Sequence, residues 1–184
     1  TVNPGSTGSL VMYRDSFGNA ILPFFANSYA NAYFSRGIPY QMTDLAEHQA
    51  DTVIVERAER FLPEMAENPP QMEAPQLTVG AVMEPEMEEN ARGTVTAEVQ
   101  GDLVKVSGLV DEAILDTDSR IAIRRNRGDT FEAFPLTLGQ EDGSSSDYGF
   151  LAYFAADSWM QDQEQIEVLV EKDGTWILVG TQSL

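Results

Sequence analysis

The sequence predicts an α/β layer built from parallel βαβ units, followed by an all-β domain. Three observations carry that expectation. From Ser9 to Leu62, short apolar runs alternate with helix-length amphipathic stretches. From Gly93 onward, apolar residues recur with a period of two between turn-forming spacers. Between them, Pro63 to Ala91 holds five of the nine prolines, four of the seven methionines and seven Glu, with no Lys or Arg. That composition suits an extended connector.

The bulk properties narrow the functional classes. The chain has 184 residues, 42% hydrophobic and 22% charged, which is ordinary globular usage. Its 30 Asp+Glu outnumber 11 Lys+Arg, giving a net charge of −19. Such a chain is a poor direct ligand for nucleic acid or an anionic membrane, both of which attract clustered Lys and Arg. Cysteine is absent, so disulfides, thiolate metal sites and cysteine nucleophiles are excluded. No apolar run approaches the roughly 18 residues of a membrane span. The sequence starts at Thr1, as expected of a mature product or a piece of something longer.

In the first half, Leu10 to Tyr13 reads as a buried strand bounded by Gly8 and Arg14-Asp15-Ser16. A helix follows, opened by Gly18-Asn19, with Ile21, Leu22, Phe24, Phe25 and Tyr29 at helical spacing and Pro23 early, where a helix tolerates it. Asn31 to Ser35 is a second strand. Thr43 to Gln49 is a short helix capped by Thr43 or Asp44. Thr52 to Val55 is a third strand, and Glu56 to Leu62 a helical turn or two. In the middle segment, Leu77 to Val82 could pair as a strand. Glu84, Glu86, Glu88 and Glu89 lack the Gly and terminal Glu of a calcium loop, so a solvated linker is the simpler reading.

In the second half, seven β-rich runs are expected: 94–99, 103–110, 120–125, 130–138, 148–156, 165–171 and 175–180. Spacers such as Lys172-Asp173-Gly174 and Glu141-Asp142-Gly143 mark hairpins between them. That strand count suits an immunoglobulin-like β-sandwich. Its apolar faces are expected to carry Val104, Val106, Ile121, Ile123, Phe131, Phe150, Tyr153, Phe154, Ile166, Val168 and Trp176. The expected organisation is therefore 1–65 α/β, 66–92 connector and 93–184 sandwich.

The residues that most suggest chemistry are Arg14-Asp15-Ser16-Phe17-Gly18, between a buried strand and a helix. A serine on such a turn is exposed at the carboxyl edge of a parallel sheet, where N–H groups at a helix start can stabilise an oxyanion. The alternative is that Asp15 or Ser16 simply caps the helix.

The run VMYRDSFGNAILPFFANSYANAYFS, with the later DTVIVERAERFLPEM, resembles the C-terminal part of the DHHW family, SGNH-hydrolase-like proteins similar to alginate O-acetyltransferases. Matching positions are Asp15-Ser16-Phe17, Leu22-Pro23-Phe24-Phe25, then Asp51, Val53, Ile54 and Glu56, then Glu59-Arg60. The match covers about residues 9 to 65. The resemblance implies a flavodoxin-like, SGNH-type layer in which Ser16 is the nucleophile, with Asp15, Gly18, Glu59 and Arg60 supporting the site. It also implies an Asp-His motif upstream of the serine, which these residues do not contain. The expectation is thus a fragment of a secreted or surface carbohydrate esterase or O-acetyltransferase, inactive alone. The alternative is a non-catalytic surface module that contacts glycan or protein through the sandwich.

Remaining candidates are weighed against plainer roles. His48, the sole histidine, follows Asp44 by four residues, and a contact along one helix face explains the pair. Glu59 and Arg60 read as an ion pair or a brace under the serine loop. Arg120, Arg124, Arg125 and Arg127 form the one basic cluster, either an anionic-glycan patch or a hairpin balanced by nearby acids. Trp159, with Tyr148, Tyr153 and Trp176, could stack on sugar, Trp159 being the strongest because it sits in a polar connection. No cofactor or metal motif occurs. Expected partners are surface polysaccharide, a second copy or a missing N-terminal part, and the expected location is extracellular or on a bacterial surface.

Overall fold

The computed structural model describes residues 1–77, 85, 92–116, 118–139, 143–159 and 165–183. Glu84, Glu86, Glu88 and Glu89, residues 78–82 of the possible middle strand and residues 141–142 of one hairpin spacer lie outside them. The chain divides into two compact units, Thr1–Met72 and Glu73–Leu184. Among the described residues no helix is long and apolar enough to cross a membrane.

The first unit is built on three parallel strands, β1 (Ser9–Arg14), β2 (Asn31–Ser35) and β3 (Thr52–Glu56), in the order β2-β1-β3. A 3₁₀ turn (Phe17–Ala20) and α1 (Leu22–Ser28) connect the first two strands, with proline in the first turn of α1, where no N–H partner is needed. α2 (Asp44–Glu47) precedes β3, and a second 3₁₀ turn (Glu59–Phe61) leads into α3 (Pro63–Glu67). β1 is central, and its Leu10–Tyr13 run is apolar because both faces of the strand are covered. Leu10 and Met12 pack with Ala32, Leu22, Phe25, Tyr29 and Ile54. Val11 and Tyr13 pack on the opposite face with Tyr40, Met42, Leu45 and Met65. On the edge strand β3, Val53 and Val55 remain 44% and 45% exposed, so that part of the sheet face is open.

The second unit is antiparallel. β4 (Thr96–Gln100), β5 (Leu103–Leu109), β9 (Ser145–Ala155) and β8 (Phe134–Gly139) form one sheet in the order β4-β5-β9-β8. β11 (Thr175–Ser183), β10 (Gln165–Lys172), β6 (Arg120–Arg125) and β7 (Thr130–Glu132) form the other, in the order β11-β10-β6-β7. One apolar cluster unites them: Val104, Val106, Phe150 and Phe154 from the first sheet meet Ile121, Ile123, Ile166, Val168 and Val170 from the second. The β10–β11 hairpin turns on Asp173 and Gly174, with φ of 52° and 79°. Two successive left-handed residues suit the twist of a two-residue hairpin, and Asp-Gly supplies them at low cost.

Three details differ from the sequence reading. The run 130–138 is two strands in different sheets, with the chain crossing at Ala133, whose N–H donates to Ile121 O (2.9 Å). Tyr153 is buried, but with Leu136 and Leu151 on the other face of β9, because Phe150, Ala152 and Phe154 occupy the alternate positions. Trp176 pairs with Glu171 across the hairpin, and its neighbour Ile177 packs against the shared core instead. Residues 71–77, expected within the connector, are attached by single bridges: Gln71 to Gln41 in the first unit, Glu73 to Tyr153 and Gln76 to Phe131 in the second.

Candidate functional site

Ser16 stands two residues beyond the end of β1, so a parallel sheet places it at the carboxyl edge of the central strand, and its side chain is exposed. The turn that carries it is fixed by Asp15, which is buried at 8% exposure. The Asp15 carboxylate accepts the Phe17 N–H (2.7 Å) through Oδ1 and the Ala58 N–H (2.8 Å) through Oδ2. It thus caps the 3₁₀ turn and ties it to the segment after β3. Ser16 occupies the N-cap position, but its side chain makes no capping bond. These bonds hold the Asp15 carboxyl below the usual aspartate range. The Ala58 N–H has the largest effect and burial opposes it, while the Phe17 and Gly18 N–H groups and the Arg57 charge add to the lowering.

Glu56, the last residue of β3, accepts the Asp15 N–H (3.3 Å). Its carboxylate lies so close to Gly18 that a Cβ there would stand 2.7 Å from Glu56 Oε2 and 2.9 Å from Arg14 Cδ. A side chain at position 18 would therefore force the Glu56 and Arg14 side chains to shift, disturbing the bond from the Asp15 N–H to Glu56. Arg14 Nη1 donates to Asp15 O (3.0 Å) and Asn19 Oδ1 (2.7 Å), bracing the same loop from β1. Arg60 is exposed, with its guanidinium 4.6 Å from the centroids of both the Phe17 and Phe61 rings. Of the two roles expected for it, this matches a brace beside the serine turn; no ion pair joins it to Glu59, which is exposed.

Sequence reading missed Arg57 and Glu56 as parts of this edge. The Arg57 side chain is 5% exposed, paired with Glu64, and stacked near the rings of Tyr40 and Phe61. The signal for Glu56 was its place at the end of the third strand. Each parallel strand is closed by an arginine: Arg14 ends β1, Arg36 follows β2 and Arg57 follows β3. They and Arg60 are all the Lys and Arg residues of the first unit.

His48 lies at the opposite end of the sheet. Its carbonyl accepts the Ser9 hydroxyl at the start of β1 (2.8 Å), and its ring stacks on Tyr33 at 4.0 Å between centroids. With Asp44 it shares a backbone bond, His48 N–H to Asp44 O (2.9 Å). Strand β1 rises about 3.3 Å per residue, so most of its length separates His48 from Ser16. Among the described residues no group of three or more His, Asp or Glu is placed to hold a metal ion.

The arginines of the second unit are internally committed. Arg124 (6% exposed side chain) bonds Glu167 (7%) at 2.7 Å, and Arg127 approaches the other oxygen of Glu167 at 3.8 Å. Arg125 faces Asp129 (3.6 Å), and Arg120 faces Glu132 (3.4 Å) and Glu171 (3.9 Å). The reading of Trp159 as a sugar platform is overturned. At 3% exposure it stacks on Phe154 (3.5 Å) and meets Phe131 edge-on, because α4 (Ala156–Trp159) folds it into the shared core.

No family model matches the chain, and no curated protein matches it. Among solved structures, the chain is similar to a superoxide reductase from Nanoarchaeum equitans, at 9% identity and a TM-score of 0.35, over 55% of this chain and 100% of that one.

Proposed function

We propose that the first unit is the C-terminal part of an SGNH-like, DHHW-type layer of a serine-dependent carbohydrate esterase or O-acetyltransferase at a bacterial surface. The observation that carries the proposal is Ser16, exposed past the carboxyl end of the central parallel strand on a turn that Asp15 pins to the far loop. In this reading Ser16 Oγ attacks the ester carbonyl, a base takes its proton, and the sugar oxygen leaves with a proton. The acyl-serine then passes its acyl group to water or to an acceptor hydroxyl. The Phe17 and Gly18 N–H groups are engaged by Asp15, which leaves the Ser16 N–H as the turn's donor to the oxyanion. The base comes from outside residues 1–184, since His48 is at the other edge of the sheet. The second unit reads as an immunoglobulin-like module: its β4-β5-β9-β8 and β11-β10-β6-β7 orders correspond to the ABED and GFCC′ arrangement of that fold.

A second reading, a surface binding module without acyl chemistry, is favoured by the absence of a histidine near Ser16. Rates on acetylated oligosaccharides, measured for the protein at its natural length and for its Ser16→Ala variant, separate the two. Loss of activity supports the first reading and unchanged activity the second. The 184-residue chain alone is expected to show no Ser16-dependent hydrolysis of p-nitrophenyl acetate.

A further inference from the structure

We propose that the second unit carries a binding site for an uncharged saccharide, seated on Tyr148. A cleft of ≈ 540 Å³ opens there, with Tyr148 and Pro135 among its apolar lining and Asp116, Asp147 and Arg120 at its polar margin. Tyr148 is 37% exposed, whereas Trp159, Phe131 and Phe154 are engaged with one another in the core. An uncovered aromatic ring beside fixed carboxylates suits a sugar, whose C–H face packs on the ring while its hydroxyls donate to the acids.

The carboxylates are held in place. Asp147 Oδ1 accepts the Thr137 hydroxyl (2.8 Å), and Asp116 Oδ1 accepts the Asp118 N–H (3.1 Å) and the Ser119 hydroxyl (3.0 Å). Both carboxylates line the cleft and have acceptor capacity beyond these bonds, because an ionised carboxylate offers about four lone-pair sites. Arg120 lies 3.4 Å from Glu132 in a half-exposed pair, placing a donor on the same wall. Charge selects the class of sugar. Asp116, Asp147 and Glu132 outnumber Arg120, so a uronate, sulfate or phosphate sugar meets like charge. This site is independent of the chemistry assigned to Ser16.

Titration of the whole chain with neutral hexose, N-acetylhexosamine and pentose oligomers, and with an oligogalacturonate, followed by calorimetry and amide NMR, tests the proposal. Saturable binding of at least one neutral oligomer is expected, weakened about tenfold or more by Tyr148→Ala and by Asp147→Asn. Arg127→Gln, outside the cleft, and Ser16→Ala should bind as the parent does. Unchanged Trp159 and Trp176 indole signals verify that each variant is folded. The proposal is overturned if no neutral oligomer binds, if oligogalacturonate binds as tightly, or if Tyr148→Ala binds undiminished.

Discussion

Replacing Glu167 with alanine decides whether the arginines of the second unit are a ligand patch or part of its architecture. Arg124 and Glu167 lie directly opposite each other on β6 and β10, 2.7 Å apart, with side chains only 6% and 7% exposed. Removing Glu167 leaves a guanidinium out of water without its counter-charge, which costs about 3–5 kcal/mol. Arg127 is 73% exposed and 3.8 Å from the same carboxylate, so its own loss should cost less than about 1 kcal/mol. Removing both buried charges together, as Arg124→Met with Glu167→Leu, also removes their desolvation penalty and should recover most of the loss. Urea unfolding followed by tryptophan fluorescence reads this cleanly. Both tryptophans, Trp159 and Trp176, belong to the second unit, so the first contributes no signal. A Glu167→Ala variant within about 1 kcal/mol of the parent, or a double variant as unstable as the single, would refute the assignment.

Three further outcomes follow from the first unit. Asp15 has its folded pKa below the ordinary 3.8, so its stabilising effect is complete above that value and drains away as pH falls through the folded one; the Phe17 and Ala58 amide signals should titrate together with a midpoint under 3.8, and a midpoint at or above it contradicts the pinned turn. Burial first, then the Asp44 charge and Tyr33, push the Tyr13 hydroxyl up to about 12. Its contribution is therefore full below about 10 and is lost as pH rises through 12, so a spectrophotometric titration should show a tyrosine ionising that late, and the absorbance change there should shrink by one tyrosine in Tyr13→Phe. Gly18→Ala places a Cβ 2.7 Å from Glu56 Oε2 and should destabilise the first unit by about 1–3 kcal/mol, disturbing the Phe17 and Ala58 amides; an unperturbed amide pattern counts against the close packing.

Legibility in the sequence tracked the range of the interaction. β2 and the Asp173-Gly174 hairpin follow from residues next to one another, since a local apolar run and a local pair of left-handed residues specify them. The strand, turn and helix around Ser16 are local in the same sense. What pins that turn is not: the Asp15–Ala58 bond spans 43 residues. Nothing local singles out Arg57, because its aromatic surroundings include Tyr40, 17 residues earlier. Through 130–138 the apolar positions shift phase, from Phe131 and Ala133 to Phe134, Leu136 and Leu138, and that shift is the local mark of the sheet change at Ala133 that reading one continuous strand passed over. Trp159 was read as exposed from the polar Asp157 and Ser158 beside it, whereas a single helical turn is enough to direct its ring into the core.

The measurement closest to the central claim is the identity of the acylated residue. The protein at its natural length, mixed with an acetylated oligosaccharide and quenched in acid, is expected to carry an acetyl group on the peptide containing Ser16, and Ser16→Ala is expected to carry none. Turnover with the acetyl group on another residue, or undiminished turnover in Ser16→Ala, would contradict it.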